Sequence, residues 1–430
     1  MGRSLGIGLA LVAALGAQTS DLPPNVLFLS RAMRHIRQTI TAVPNFTCTE
    51  TIYREQLTPP SKKFEQLDVV RLEVAKVGSK EVFAWPGARR FEEKPAASFV
   101  AGGMIGDGIF SAFGADLFLH SLATMDVVGP EEISGRKAIR VNYVVGPLHA
   151  SFSIHTELGS ATVSYSGSFW VDPESFDLIR LSVRADDIPA ALQLSSVLIN
   201  ADFAILEGAA LPQSAVMQMA RASGSVSRDQ IGFAGCRKFT GDTRISFDSA
   251  EPDAGPVETL PVRSPTTLPG DLEIPLRLTT EVNVNTSKVG DEVSALIEGD
   301  VKRGHQTWLR KGSVAYGRIR RLERRKGRPD YVLLGLEFSE AEAGQERVEF
   351  VARLKSIPGT QGSMLRHLEE PEDQPVLNQG RLVTEKSWTE AFDPPMAGVG
   401  YLYLNSEPFR LPAGVRMVWQ TQAIRQSDRR

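Results

Sequence analysis

Hydrophobic and polar residues follow two patterns along this chain, one helical stretch and then many strand-like stretches. From residue 26 to 42, apolar residues recur at steps of three and four, the spacing of an amphipathic helix. After Pro44 the period changes to two, which is typical of strands with one buried face. The strands predicted in this first region are 47–55, 69–77, 81–85, 137–145, 151–156, 161–171 and 178–183.

A second helix is predicted at about 109–122, after a glycine-rich segment at 102–108. That segment lacks the preceding strand and the Lys-Ser/Thr pair of a phosphate-binding loop, so a hinge is the better interpretation. Four rings near the helix are candidates to line an apolar ligand cavity: Phe110, Phe113, Phe118 and Phe169. The alternative is that they fill a core, which is favoured because protein interiors are close-packed.

The first 17 residues have the pattern of an export signal. Arg3 precedes an apolar run at 5–14, which is shorter than the roughly 18 to 20 residues that span a bilayer. We therefore expect a signal peptide at 1–17 and a periplasmic or extracellular protein, with peripheral membrane association left open. A retained membrane anchor is the alternative.

The chain has two cysteines, Cys48 and Cys236, and both lie in strand-like sequence. In an oxidising compartment two such thiols usually pair, so we expect a disulfide that joins the first strand of a domain to nearly its last. In the chain-entropy model a loop of this length contributes about 5 kcal/mol. Neither cysteine has a flanking histidine that would make it a nucleophile.

Proline marks a boundary between two domains. Residues 250–269 contain five prolines and almost no long apolar run. We expect a helix and antiparallel half-barrel domain at 22–249, a Pro-rich linker at 250–267 and a small β-barrel domain at 268–425. The predicted fold class is mainly β (α+β), with covering helices on the half-barrel.

The whole chain has a formal net charge of only -3, but one segment is strongly basic. Residues 302–328 hold eleven lysines and arginines against one acid, Glu323. The candidates for binding an anionic surface are Arg318, Arg320, Arg321, Arg324, Arg325, Lys326 and Arg328. A solvated hairpin tip that binds nothing is favoured. An anionic envelope surface comes next, and nucleic acid is least expected because export makes an encounter rare.

Motifs for catalysis are absent from the sequence. It contains neither a G-x-S-x-G nucleophile elbow nor an H-E-x-x-H metal motif, and its six histidines are scattered. We therefore expect no catalytic residue, no metal and no cofactor. A hydrolase without a recognisable motif ranks third among the functions considered.

Residues 165–173, YSGSFWVDP, and 178–181, LIRL, resemble paired strands in the half-barrel of periplasmic lipoprotein carriers and related lipid-binding domains. The resemblance implies a curved sheet whose covering helices enclose an apolar cavity for a lipid or lipoprotein. The stretch 135–247 also looks like exported proteins of soil bacteria of the acidobacterial type.

Three segments beyond the linker are similar to the C-terminal β-barrel of type IV secretion channel proteins: 274–278, 289–293 and 311–317. Those domains form envelope-spanning rings. This chain lacks their retained inner-membrane helix and long proline-rich spacer, so only the small-barrel fold is carried over, and the oligomeric state stays open.

Two functions from different classes follow. In the first, the half-barrel binds a lipid or acyl ligand and the basic barrel docks to an anionic envelope surface. In the second, both modules are filled and the protein is a structural or assembly component of the envelope that acts through protein contacts.

Overall fold

The structure is a computed structural model. It describes residues 23–43, 46–77, 80–88, 91–100, 103–110, 112–120, 122–238, 267–325, 330–344, 346–358, 365–368, 376–378, 381–383, 396, 398–404 and 408–423. The predicted signal peptide lies outside these residues, as does nearly all of the predicted linker. Among the described residues, no helix has both the length and the hydropathy that crossing a membrane requires.

The long helix α1 spans Pro24–Thr41 and begins on a proline. Proline is well tolerated there because the first N–H groups of a helix have no partner within it. Ala32, Ile36 and Ile40 form its buried stripe, which belongs to the hydrophobic core of the first sheet. The periodicity of the sequence therefore located both the helix and its packing face.

Most of the first region is one curled antiparallel sheet, as predicted for a half-barrel. The strands are β1 Phe46–Leu57, β2 Glu65–Val77, β3 Lys80–Ala84, β4 Thr124–Ile133, β5 Arg136–Val145, β6 Ser153–Thr156, β7 Gly159–Thr162, β8 Tyr165–Val171, β9 Leu178–Ala185, β10 Leu194–Leu206, β11 Ala209–Arg221 and β12 Val226–Lys238. Ten of them pair in the order β3-β2-β1-β12-β11-β10-β9-β8-β5-β4, and β6 and β7 form a separate hairpin.

The inner face of this sheet is covered by α1 and by an irregular segment, residues 96–120, which we call the cover. It contains a 3-10 turn at Ala96–Phe99, the four-residue helix α2 at Ala112–Ala115 and a π-helical turn at Asp116–His120. The helix predicted at 109–122 is therefore shorter in the structure, at 112–120, and its second half is π-helical. Phe110 lies in a turn before it.

The second region contains fifteen strands within the described residues. They are β13 Glu273–Leu278, β14 Val282–Asn283, β15 Glu292–Ile297, β16 Val301–Arg303, β17 Gln306–Leu309, β18 Val314–Arg325, β19 Tyr331–Ala343, β20 Glu346–Glu349, β21 Val351–Ser356, β22 Leu365–Leu368, β23 Val376–Asn378, β24 Arg381–Val383, β25 Gly400–Leu404, β26 Arg410–Leu411 and β27 Arg416–Gln422.

These strands close into a small barrel. The sheet runs β27-β13-β15-β18-β19, and β20 pairs with β19. After Phe350 the chain continues as β21, which pairs with β27 and so completes the ring. Trp419 and Phe338 fill the interior, with ring centroids 5.3 Å apart. The predicted mainly β fold, a half-barrel followed by a small barrel, is confirmed.

The two regions meet along a short parallel bridge. Val289 lies beside Val70. The Val289 carbonyl accepts a hydrogen bond from the Arg71 N–H, and the Val289 N–H donates one to the Val69 carbonyl, each at 2.9 Å. Gly290 follows with φ of +99°, and a Cβ there would lie 2.5 Å from the Arg71 carbonyl. Only glycine allows so close an approach, so the second region packs tightly against the edge of β2 that does not pair with β1.

Candidate functional site

The cover touches the inner face of the sheet mainly through aromatic rings. Phe118 packs against Phe169 of β8, with centroids 5.1 Å apart and planes at 85°. This edge-to-face geometry is the favoured one for aromatic pairs. Two further pairs join the cover to rings opposite, Phe113 with Phe152 at 5.1 Å and Phe110 with Phe233 at 5.8 Å. Two of these three pairs are therefore made with strands of the sheet, and the third is made with Phe152, in the segment just before β6.

A few polar contacts fix the position of the cover. The Tyr165 hydroxyl donates to Asp116 at 2.5 Å, and Arg37 of α1 donates to the Phe118 carbonyl at 2.8 Å. Burial, together with the bond to Asp116, raises the pKa of Tyr165, so its hydroxyl keeps the proton that it donates. Both of these bonds hold the turn at Asp116–His120, and the Gly108 N–H, which donates to Glu81 of β3 at 2.8 Å, fastens the preceding part of the cover.

Two glycines let the start of the cover lie flat on the sheet. A Cβ on Gly103 would be 3.0 Å from the guanidinium of Arg54, and one on Gly106 would be 2.7 Å from the Cε of Met217. Gly103 also has φ of +78°, a region that favours glycine. The glycine-rich sequence therefore serves close packing over the sheet.

Beneath these glycines lies a row of charged residues on three neighbouring strands. Arg54 of β1 faces Asp68 of β2 on one side and Asp229 of β12 on the other. It donates to both oxygens of Asp68, at 2.7 and 2.5 Å. Burial lowers the pKa of Arg54, but the charge and hydrogen bonds of Asp68 outweigh it and the pKa rises. Arg54 therefore keeps its charge within the core, where Asp68 is its bidentate partner.

Asp229 has no such compensation. It is 1% exposed, and within the described structure its Oδ2 has no hydrogen-bond partner. Burial raises its pKa to about 8 although Arg54 opposes the shift. Glu50, two inward positions from Arg54 along β1, is also buried, and its pKa rises because of burial and the nearby acids Glu81, Asp107 and Asp229. Near neutral pH, Asp229 is protonated and can donate a hydrogen bond beneath the cover.

The four rings predicted to line a cavity all lie at this covered face. Phe110, Phe118 and Phe169 are fully buried, and Phe113 is half-buried against the same core. Their rings are in contact with one another or with rings opposite, as given above. Two depressions lie elsewhere, one on the outer side of α1 and one at the junction of the two regions.

The two cysteines form a disulfide between β1 and β12, which are neighbouring strands at the middle of the sheet. Cys48 is buried, and the bridge joins two residues that are 188 positions apart in the sequence. It lies on the same two strands as Arg54 and Asp229, so it fastens the part of the sheet that carries the charged row.

Most of the predicted basic cluster is engaged within the barrel. Arg318 donates to the carbonyls of Pro86 and Gly290 at 3.0 and 3.1 Å, and Arg320 pairs with Glu337. Burial lowers the pKa of Arg318, which is held mainly by backbone carbonyls. Arg318 therefore connects the barrel to the first region, and Arg320 connects two strands of the barrel.

The remaining arginines of the cluster differ in exposure. Arg321 is 2% exposed and paired with the buried Glu323, so it contributes no charge to the surface, which corrects its assignment to a surface patch. Arg325 also pairs with Glu323. Arg324 is exposed and donates to Asn285. Lys326 and Arg328 lie outside the described residues. The strand β18 extends to Arg325, so most of the cluster lies along a strand and not at a hairpin tip.

The fold and the covered face define a β-rich protein of two joined regions, one of them a half-barrel over an aromatic and acidic inner face. No family model and no curated protein matches the chain. Similar solved structures include a LolA-superfamily protein from Nitrosomonas europaea, with 14% identity over 50% of this chain and 98% of that one and a TM-score of 0.28.

Two further structures have comparable similarity. An outer-membrane lipoprotein-sorting domain from Vibrio parahaemolyticus is 10% identical over 50% of this chain and 95% of its own, with a TM-score of 0.28. A DUF1329-family protein from Desulfovibrio piger is 12% identical over 51% and 95%, with a TM-score of 0.27. Similarity this low assigns neither a family nor an activity. The resemblances to acidobacterial proteins and to type IV secretion barrels have no support here.

Proposed function

We propose that this protein is an exported, non-catalytic binding protein that takes up a lipid or acyl ligand beneath the cover of its half-barrel. The observation that carries the proposal is the set of three aromatic pairs made by the cover, two with strands of the sheet and one with Phe152 before β6. If the cover lifts, rings on both sides become exposed, and an acyl chain would replace the contacts that they lose.

The way the cover is built supports this proposal. Its regular pieces have only four or five residues each: Ala96–Phe99, Ala112–Ala115 and Asp116–His120. Short turns contribute few internal hydrogen bonds, and segments of low local stability are the ones that open in ligand-binding proteins. The sheet beneath is fastened by the disulfide, so the cover is the part that would move.

Two hydrogen bonds of the same chemistry provide a matched test. Tyr165→Phe removes a bond to Asp116 that holds the cover, whereas Tyr316→Phe removes a bond of 2.7 Å to Glu342 in the barrel. The probe is a fluorescent C18 fatty acid, cis-parinaric acid. We expect binding at one per chain, faster association with Tyr165→Phe, and unchanged kinetics with Tyr316→Phe.

Native mass spectrometry of protein purified without detergent checks the same proposal independently. An acyl species that is bound one to one and removed by organic extraction would agree with it. Absence of any acyl species, together with no uptake of the probe by either variant, would exclude the lipid-binding function.

The alternative function is a structural or assembly component of the envelope. One observation favours it, namely that the four candidate rings are in direct contact with other rings and that the described depressions lie elsewhere. A filled core is what a purely structural module needs. In that case cis-parinaric acid would not bind, and crosslinking in the native envelope would identify neighbouring proteins instead.

A further inference from the structure

A polar cleft of about 220 Å³ lies where the two regions meet. One wall comes from the outer face of β1 and β2, including Tyr53 and Gln66. The other comes from the segment 284–288 and from the end of β18, including Lys288 and Arg324. Neither region forms the cleft alone. The cleft borders the free edge of β2, and one of its lining residues, Leu67, also lies next to Gly103 of the cover.

The lining of the cleft is positively charged. It includes two cations, Lys288 and Arg324, and no aspartate or glutamate. Hydroxyl and amide groups complete it, among them those of Tyr53, Gln66 and Thr286. A concave surface with two cations, several hydrogen-bond donors and no acid attracts an anion, because each charge-assisted bond is stronger than a neutral one.

Acids close to the cleft are already paired. Asp291 accepts from Arg71 at 3.2 Å and from the backbone N–H of Lys288 at 2.8 Å. Glu323 is buried and accepts from Arg321 and Arg325. Within the described part of the chain, the side chains of Lys288 and Arg324 form no ion pair. Their charges are therefore available to a ligand.

The position of Arg324 is fixed by a neighbour in the cleft. Its guanidinium donates to the Oδ1 of Asn285 at 2.5 Å. Arg324 has further N–H groups, since a guanidinium carries five donors in a fixed planar arrangement. An amide that orients one edge of an arginine leaves the rest of its donors for a planar or tetrahedral anion.

We propose that this cleft binds a phosphate group, carried by a small polar molecule such as a glycerophosphate or by a lipid headgroup. The volume equals that of about seven waters, which is room for a phosphate and a short polar substituent. A ligand here would touch both regions and would strengthen their contact. The proposal does not depend on acyl binding beneath the cover.

The test compares two charge-matched double variants of the full chain. Lys288→Gln/Arg324→Gln removes both cations of the cleft. Arg310→Gln/Lys311→Gln removes two exposed cations at the turn before the other end of β18. Titration calorimetry with glycerol 3-phosphate should show binding that weakens by about tenfold or more in the first variant and stays within about twofold in the second. Circular dichroism checks that both variants fold.

Three probes distinguish the source of the phosphate. Inorganic phosphate and glycerol 3-phosphate represent free ligands, and vesicles of phosphatidylglycerol represent a headgroup. Binding of a free probe alone identifies a soluble ligand, and sedimentation with vesicles that depends on Lys288 and Arg324 identifies a lipid. No binding of any probe, or equal losses in both double variants, would overturn the proposal.

Discussion

The two β regions of this protein bury the concave face of a curved sheet in different ways. The first leaves its ten strands open and places α1 and the cover over the exposed inner face. The second joins β21 to β27 and so closes the ring around Trp419 and Phe338. An open sheet has an inner face that a movable segment can uncover, whereas a small closed barrel has an interior filled by side chains.

This difference separates where each region can bind a ligand. In the half-barrel the inner face is one displaceable segment away from solvent, and it carries both the aromatic rings and the buried acids. In the barrel only the outer surface is available, and most of its arginines are engaged there in internal pairs. The cleft between the regions uses that outer surface.

The largest expected effect is the loss of the disulfide. Cys48→Ser/Cys236→Ser should lower the free energy of unfolding of the half-barrel by up to about 5 kcal/mol, because its loop constrains the unfolded chain. The barrel should be nearly unaffected, because the bridge closes no loop within it. Hydrogen exchange read by mass spectrometry reports on each region separately. Equal losses of protection in both regions would mean that they unfold as one cooperative unit.

The barrel is expected to be most sensitive at its centre. Trp419 is fully buried against Phe338, so Trp419→Ala should cost about 3 to 5 kcal/mol, whereas Trp419→Phe should cost less because part of the ring remains. Urea denaturation followed by peptide-resolved hydrogen exchange checks this. If the half-barrel loses as much protection from exchange as the barrel, the two interiors do not contribute to stability independently, and the comparison drawn above is wrong.

The buried acid predicts a pH dependence that belongs to the half-barrel alone. Folded Asp229 has a pKa of about 8, so between roughly pH 4 and 8 the folded state binds a proton that the unfolded chain has released. Stability should therefore fall as pH rises through this window, by at most about 1.4 kcal/mol per pH unit.

Asp229→Asn should remove most of this slope, with the buried Glu50 contributing the remainder. The change in stability caused by Asp229→Asn should be more favourable at pH 8 than at pH 5 by about 1 to 3 kcal/mol. Asp126→Asn, at an exposed position of β4, is the control and should leave the slope in place. Thermal unfolding across this pH range measures both variants. A slope that persists undiminished in Asp229→Asn would assign it to other groups.

The smallest predicted effect concerns the cover. Tyr165→Phe removes one hydrogen bond to Asp116 and should cost about 1 kcal/mol, expressed as local opening of the cover. Amide exchange of residues 112–120 should become faster while the barrel peptides stay unchanged. Faster exchange throughout the half-barrel would show instead that the cover does not open independently.

The sequence pattern predicted local elements well and their partners poorly. The helix predicted at 26–42 corresponds to α1 at Pro24–Thr41, and the strand predicted at 47–55 to β1 at Phe46–Leu57. The single strand predicted at 161–171 is instead two, because the chain leaves the β6–β7 hairpin at Val163, whose N–H donates to the Phe152 carbonyl. Periodicity identifies a face but not the strand that it pairs with.

The aromatic part of the candidate site was visible in the sequence, whereas the charged row was not assigned. One signal was present, because Glu50 and Arg54 occupy inward positions of β1 on either side of Ile52. A charged residue at an inward position of an alternating strand indicates a buried polar contact. Asp229 could not be linked to Arg54 in this way, since that register depends on pairing between distant strands.

The pairing of β1 with β12 also has a consequence for the order of events in the cell. A strand at the middle of the sheet is made first, and its partner on one side follows 188 residues after the first cysteine. At a synthesis rate of about 5 to 20 residues per second, β1 waits roughly 10 to 40 seconds for that neighbour. During this time β1 lacks its neighbour on one side, so the half-barrel cannot be completed until β12 has been made.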